Sequence, residues 1–202
     1  MPSPTKEYTE ALQQLFARFQ KNPYNYFSEC ELQYDFYCVL KASKLINEFA
    51  LSNDGVSVNT VHPEYPSVNR VQLKDGKGYR VWFDLAVLNP DFIKSNSYKT
   101  VWARDERIAL SGTNNVLAAF EFKFFPNNKK TRDLSSVQVD CLKLSLCEEI
   151  ADRYVLVFSN YEVEKSDLGN IRLGMSKLFW VTPNNVHALK PKVSITSPDT
   201  AF

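Results

Sequence analysis

The sequence has few of the residues on which several common kinds of site depend. Only two of its 202 residues are histidines, His62 and His187, so a histidine-based zinc site or a Ser/His/Asp triad has little to draw on. The four cysteines show no CxxC spacing and fall in apolar, helix-like stretches, where we expect buried, reduced thiols: Cys30, Cys38, Cys141 and Cys147. These shortages favour carboxylate chemistry.

Charge and hydropathy bear on the partners and the location of the protein. The formal net charge is +1 at pH 7, so the chain lacks the basic excess typical of nucleic-acid-binding proteins, and any such surface must be local. No run of about 18 uncharged apolar residues predicts a membrane span. The first residues, MPSPTKEYTE, lack the apolar core of a signal peptide. We therefore expect a cytoplasmic protein that makes no membrane contact.

The rest of the composition is that of an ordinary globular protein. The chain is 44% hydrophobic and 13% aromatic, and it is long enough to bury one core without disulfides or structural metal. No internal repeat or linker divides it. We expect a single domain over residues 1–202, with its core at about 28–160.

Helical spacing of apolar residues predicts three helices. The first spans residues 5–21 and ends before Asn22-Pro23. The second begins at Ser28, where Ser28 and Glu31 have the spacing of a capping box, and runs to about Phe49. The third spans 135–150, with an inward face made by Val139, Leu142 and Leu146. One more helix can be drawn at 101–110, inside a segment, 89–115, whose structure the pattern leaves open.

Apolar stretches bounded by turn residues predict the strands. They cover residues 56–62, 79–88, 116–125 and 154–158, and a last strand at 177–182 precedes a surface tail that reaches residue 202. Strands followed by a helix and another apolar strand indicate an α/β sandwich. We expect a right-handed crossover after the strand that begins at Val116.

Two of these strands carry ionisable residues where the pattern predicts burial on both faces. Period two places Asp84 on the face of Trp82 and Ala86, and it places Glu121 and Lys123 together, opposite Phe120, Phe122 and Phe124. Buried charges need partners, so the two acids and the lysine are expected to converge. For an isolated E-x-K, the alternative is a structural ion pair on an edge strand.

This ordered set resembles the PD-(D/E)XK superfamily, the restriction-endonuclease-like nucleases. Asp84 in Trp82–Leu88 and Glu121-Phe122-Lys123 carry the resemblance, which spans about residues 28–159. The chain departs from the pattern because no proline precedes Asp84 and because the segment 89–115 is long. The resemblance implies a restriction-endonuclease-like fold, which is an α/β fold with a mixed central sheet flanked by helices. It also implies a nuclease that uses Mg²⁺, or Mn²⁺ in its place, and whose expected nucleic-acid substrate is DNA.

The chemistry explains why such residues are needed. Asp84 and Glu121 supply the oxygen ligands that Mg²⁺ prefers, and the family pattern adds the backbone carbonyl of Phe122. Lys123, beside metal and phosphate, would orient or help deprotonate the attacking water and stabilise developing negative charge.

Other residues are weaker candidates. Family members often add a helix glutamate, which implies Glu31, with Glu29 as the fallback; for Glu31 the alternative is a helix cap. Glu64, between two prolines, either reaches the same site or stays solvated. Gln138 is similar to a glutamine of some exonuclease-like members but lacks the accompanying tyrosine, so a surface position is the alternative. Phosphate contacts are expected from the basic residues after the E-x-K strand: Lys129, Lys130 and Arg132.

Two functions from different classes follow. The leading one is a metal-dependent phosphodiesterase acting on DNA. The alternative is a non-catalytic domain that keeps the same fold to bind nucleic acid or a protein partner, because a fold does not determine a function. The near-neutral charge is compatible with a homodimer or a larger complex.

Overall fold

The structure is a computed structural model that describes residues 4–43, 49–72, 78–102, 114–126 and 134–191. Its helices are α1 (Pro4–Lys21), α2 (Glu29–Ala42), α3 (Pro90–Ser95), α4 (Tyr98–Val101) and α5 (Leu134–Ser145). Its strands are β1 (Phe49–Leu51), β2 (Ser57–Asn59), β3 (Val61–Gln72), β4 (Gly78–Leu88), β5 (Val116–Phe125), β6 (Ile150–Ser159), β7 (Lys177–Val181) and β8 (Val186–Leu189). Two short 3₁₀ helices cover Pro23–Asn25 and Lys165–Leu168.

Six of the strands form one mixed sheet in the order β3-β4-β5-β6-β7-β8. The three central strands β5, β6 and β7 are parallel to one another, and the remaining neighbours pair antiparallel. Helix α5 connects β5 to β6, as parallel neighbours require a crossover. A separate hairpin joins β1 and β2. The predicted mixed α/β architecture, a central sheet flanked by helices, is confirmed, and the handedness of the crossover stays a prediction.

A hydrophobic cluster lies on each side of the sheet. On one side α1 and α2 pack against aromatic residues of β5 and β6, with Phe19, Phe36, Phe120, Phe122 and Phe158 all buried. On the other side α3, α4 and α5 pack against the sheet, with Ile93, Val101, Val137, Cys141 and Leu144 among the buried residues. The sheet is therefore the middle layer of three.

The first residues of the helices were predicted more accurately than their last residues. The leading helix is confirmed as α1. The second helix was expected to reach Phe49, but Ser43 is already extended and Phe49 lies in β1. The third was expected to reach residue 150 but ends at Ser145. The guanidinium of Arg153 donates to the carbonyls of Leu144 and Cys147, at 2.9 and 2.7 Å, and so satisfies groups that a helix end leaves unpaired.

The buried face of α5 differs from the predicted one. Val139, Leu142 and Leu146 are between 45% and 58% exposed, so their assignment to the core is wrong. The buried residues of the helix are Val137, Asp140, Cys141 and Leu144. Hydrophobic spacing alone failed here because a charged residue, Asp140, occupies the inner face.

The strands were mostly found where expected, with three differences. The stretch 56–62 contains parts of two strands, β2 and β3, and the strand expected at 154–158 extends over 150–159. The tail was expected to be surface-lying from His187 onward, yet β8 pairs antiparallel with β7. The segment 89–115 contains α3 and α4, whereas most of the helix suggested at 101–110 lies outside the described residues, as do residues 192–202.

Two expectations about burial and membranes can also be compared with the structure. Cys141 and Cys147 are buried as predicted, but Cys30 and Cys38 are exposed on α2, which corrects the expectation for these two. In the part of the chain that the structure describes, no helix is long and apolar enough to cross a membrane.

Candidate functional site

The pairing of three adjacent strands brings three acidic residues to one level of the sheet. Pro63 pairs with Leu85 and Tyr65 with Phe83, so Glu64 on β3 lies opposite Asp84 on β4. On the other side of β4, Leu85 pairs with Phe120, so the next residues along the two strands are Asp84 and Glu121. The sheet therefore gathers these carboxylates without help from loops.

The alternation of side chains between the two faces of β4 is interrupted near Asp84. Val81 and Phe83 pack in the same cluster as Ala86, although alternation would place them on opposite faces. Glu64 has φ +49°, a left-handed conformation that is uncommon for a residue with a side chain. Trp82, expected on the face of Asp84, is 47% exposed. Irregularities of this kind redirect side chains and are frequent beside functional sites.

Glu121 is the most deeply buried acid of the group, at 1% exposed. Its Oε2 lies 2.5 Å from the ammonium of Lys143. Its Oε1 is buried and has no hydrogen-bond partner among the described residues. Burial, together with the negative charge of Asp84, raises the pKa of Glu121 well above its usual value, although Lys143 opposes the shift. A buried acceptor without a hydrogen-bond partner is costly, so this oxygen is the least well satisfied polar atom of the carboxylate.

Asp84 is held against the neighbouring strand by a backbone contact. The amide of Phe122 donates to Asp84 Oδ2 at 2.7 Å. Burial raises the pKa of Asp84, and the Phe122 amide and the two lysines, Lys143 and Lys123, oppose that rise. The side chain is thus oriented toward β5, one residue beyond Glu121.

Lys123 lies on the same face of β5 as Glu121, but the two do not form an ion pair with each other. Its ammonium lies 2.9 Å from Asp140 Oδ2, and it donates to the carbonyl of Phe122 at 3.2 Å. Burial opposes its charge, but Asp140 and Glu29 outweigh burial and raise its pKa. Lys123 therefore stays protonated, and it covers the carbonyl that the sequence suggested as a metal ligand.

The structure brings Glu29 to this group rather than Glu31. Glu29 Oε1 accepts from the amide of Phe124 at 3.2 Å, and its Oε2 lies 3.9 Å from Lys123. Glu31 instead accepts from the amides of Phe27 and Ser28, at 2.5 and 3.2 Å. The capping interpretation of Glu31 accounts for its position, and the fallback residue takes its place near the site. Burial raises the pKa of Glu29.

Glu64 is an exposed member of the group. Burial raises its pKa first and the charge of Asp84 second, while Lys143 lowers it. Glu64 is therefore within electrostatic range of both residues.

Two members of the site were missed by the sequence analysis, Asp140 and Lys143 of α5. They lie three residues apart, one turn along the helix, and Asp140 bridges both lysines: its Oδ1 is 3.6 Å from Lys143 and its Oδ2 is bound to Lys123. Charged residues at i and i+3 on the helix after an E-x-K strand were the available clue. Gln138 is not part of the group, because its side chain pairs with the backbone of Arg172.

The composition of the group suits a hard cation in charge and in donor type. Carboxylates outnumber ammonium groups five to two, with Glu29, Glu64, Asp84, Glu121 and Asp140 against Lys123 and Lys143. All the carboxylates present oxygen donors, as Mg²⁺ requires. Among the described residues, however, no group of three or more His, Cys, Asp or Glu side chains is arranged to hold a metal ion. In this conformation the lysines occupy positions next to the carboxylates.

The basic residues expected to contact phosphate, Lys129, Lys130 and Arg132, lie outside the described residues. They follow β5 in the chain, after Phe125 and Pro126, and precede α5. Both elements carry members of the site, namely Glu121 and Lys123 on β5 and Asp140 and Lys143 on α5.

Comparison with known proteins gives no relative. No protein-family profile, no curated protein and no solved structure matches this chain.

Proposed function

We propose that the chain is a divalent-metal-dependent nuclease, a phosphodiesterase that acts on DNA and has a restriction-endonuclease-like fold. The observation that carries the proposal is the partnerless, fully buried Oε1 of Glu121 beside Asp84. It supports a cation site because a buried carboxylate oxygen with no hydrogen bond is expensive unless a ligand compensates for it.

Asp84 and Glu121 are the residues that would hold the cation, with Glu64 as an exposed third acid opposite Asp84. The Phe122 carbonyl would become available once Lys123 moves away from it. When bound, Mg²⁺ or Mn²⁺ neutralises phosphate charge and favours the deprotonation of water. The excess of carboxylates supports this assignment, and burial raises the pKa values of Asp84 and Glu121, which a cation bound to them would oppose.

Lys123 is the residue to which we assign a role on the phosphate or the attacking water. It shares a face of β5 with Glu121, and Asp140 and the Phe122 carbonyl hold its ammonium. Its raised pKa keeps it protonated, so it would stabilise negative charge that develops in the transition state. Glu29 and Asp140 position this ammonium.

The test is cleavage of labelled DNA by the purified chain with Mg²⁺, with Mn²⁺ and with EDTA. We expect cleavage only with metal, and we expect Asp84→Asn and Glu121→Gln each to abolish it while the fold is retained, because both changes remove a charged ligand but keep the shape. Asp152→Asn is the matched control: Asp152 is also paired with a lysine, Lys177 at 2.5 Å, but lies outside the site. Wild-type cleavage by Asp84→Asn or Glu121→Gln would refute the proposed metal site.

A second function is favoured by a different observation. Val139, Leu142 and Leu146 form an exposed apolar stripe along α5, and exposed apolar surface of this kind is typical of protein contacts. A non-catalytic domain of the same fold, which binds a protein partner or a second copy of itself, would use it. Light scattering of the wild type and of a Leu142→Ser/Leu146→Ser variant tests self-association: a smaller particle for the variant supports this function, and monomers in both count against a homodimer.

A further inference from the structure

Lys143 occupies an unusual position in the charged group. It comes from α5, yet its ammonium lies 2.5 Å from Oε2 of Glu121, the most deeply buried acid of the site. The same ammonium donates to the carbonyl of Trp82 at 3.2 Å and lies 3.6 Å from Asp140 Oδ1. Three acceptors surround one ammonium, so Lys143 is held in place.

The two lysines of the site differ in what they neutralise. Lys123 is bound by Asp140, Glu29 and the Phe122 carbonyl, and none of the ion pairs among the described residues joins it to Glu121 or Asp84. In the part of the chain that the structure describes, Lys143 is the one cation paired with Glu121, and it leaves the second oxygen of that carboxylate without a hydrogen-bond partner. A divalent cation on Glu121 would therefore approach an ammonium that is already bound to the same carboxylate.

A divalent cation and an ammonium that are bound to the same carboxylate repel each other strongly in a partly buried environment. We propose that Lys143 is a built-in counter-cation, which pairs with Glu121 in the metal-free protein and is displaced from it when a divalent cation binds. The inference rests on the metal site of the proposed function, but it requires nothing of the phosphodiesterase chemistry.

The structure provides a place for the displaced ammonium. Asp140 Oδ1 and the Trp82 carbonyl are already within 3.6 Å of it, so a small movement of the side chain breaks the contact with Glu121 and keeps the others. The flexible four-carbon stem of lysine allows such a shift without movement of α5. Lys143 would then stay beside the site rather than leave it.

The test is calorimetric titration of Mn²⁺ into metal-free wild type and into Lys143→Met at constant pH and low salt. Removal of the competing charge is expected to tighten Mn²⁺ binding by at least about tenfold. Without metal, Lys143→Met should melt below the wild type because Glu121 loses its charge partner, and saturating Mn²⁺ should narrow that difference. Lys177→Met is the matched control: it removes a lysine paired with Asp152 outside the site and should leave the affinity for Mn²⁺ unchanged.

Lys143→Gln is the second variant, in case the methionine change prevents folding. It removes the charge but keeps a donor for the Trp82 carbonyl, so the same tightening is expected. Unchanged or weaker Mn²⁺ binding in these variants, or the absence of Mn²⁺ binding by the wild type and both variants, would overturn the inference. Tighter binding in a protein that does not cleave DNA would support the role of Lys143 and refute only the nuclease proposal.

Discussion

The two faces of β5 carry different kinds of side chain. Toward α1 and α2 the strand presents Phe120, Phe122 and Phe124, all in an aromatic cluster. The ring of Phe120 lies 4.9 Å from that of Phe36 and is stacked on Tyr154 at the same distance. Toward α5 the same strand presents Glu121 and Lys123, which contact charged residues of the helix.

The two faces differ in how their side chains affect the stability of the fold. Aromatic packing lowers the free energy of the folded state through burial and ring contacts, and the α1 and α2 face needs no other explanation. On the α5 face, burial raises the pKa of Glu121 well above its usual value, so this residue opposes folding whenever it is ionised. Perturbed carboxylates concentrate at functional sites. Both sides of the sheet have a hydrophobic cluster, and the buried charged residues on the α5 side are the ones to which we assign the proposed metal site.

The largest effect on the free energy of unfolding is expected from a substitution on the aromatic face. Phe122→Ala should destabilise the protein by roughly 3–5 kcal/mol because a buried aromatic side chain leaves a cavity. Glu121→Gln, one residue away on the other face, should leave the free energy of unfolding equal or higher in the absence of metal. Urea unfolding of both variants in EDTA measures the difference. If Glu121→Gln were as destabilising as Phe122→Ala, the charged face would be a structural ion-pair network.

A smaller effect, on the cleavage rate alone, is expected from the substitution of Lys123. Lys123→Met should lower the single-turnover cleavage rate by about 10²–10³, the usual loss for one transition-state donor. Its affinity for Mn²⁺ and for DNA should change little, because Asp84 and Glu121 remain. Single-turnover cleavage beside calorimetry separates the two quantities. Near-normal cleavage, or joint loss of metal binding and fold, would make Lys123 structural.

The charged face should also be the side that meets the substrate. Replacing Lys129, Lys130 and Arg132 with Ala should weaken DNA binding and reduce the slope of log affinity against log salt by up to about 3, if each contacts one phosphate. Fluorescence anisotropy over a range of salt concentrations gives the slope. An unaltered slope would move the DNA surface to another part of the molecule, such as the segment 89–115.

The smallest effect concerns pH. The pKa of Glu121 is raised above its ordinary value of 4.5, so its contribution favours folding at low pH and is lost as the pH rises through the folded-state pKa. In EDTA, Glu121→Gln should therefore gain melting temperature relative to the wild type as the pH rises from about the ordinary pKa of 4.5 through the raised folded-state pKa, and the difference should stay constant above it. Each kcal/mol corresponds to roughly 2–4 °C at this chain length. A difference between the two melting temperatures that does not change with pH would mean that Lys143 fully compensates the buried charge.

The sequence predicted the helices and strands that a local pattern of residues defines. It missed the features that depend on partners far away in the chain. Strands β4 and β5 and helix α1 could be located because apolar runs and turn residues bound them. The face of α5 could not, because Asp140 is buried by ion pairs with a lysine of β5, which hydrophobic spacing does not contain. Strand β8 was missed because its four residues, Val186–Leu189, are stabilised by pairing with β7 rather than by their own pattern.

The same limit applies to the site. Asp84, Glu121 and Lys123 were identified because charged residues stand out in apolar strands. Choosing Glu29 over Glu31 required knowing that the start of α2 lies against Phe124 of β5. Lys143 was missed because its partner, Glu121, is 22 positions away in the chain and meets it only through the crossover from β5 to α5.

The central claim is that Asp84 and Glu121 hold a divalent cation, and a crystal soaked in Mn²⁺ tests it most directly. We predict an anomalous peak within roughly 2.0–2.6 Å of a Glu121 carboxylate oxygen and an Asp84 oxygen, with the Lys143 ammonium moved away from Glu121. A site without Mn²⁺ at saturating concentration, with Lys143 still bound to Glu121, would contradict the claim and leave the charged face of β5 as a network of ion pairs.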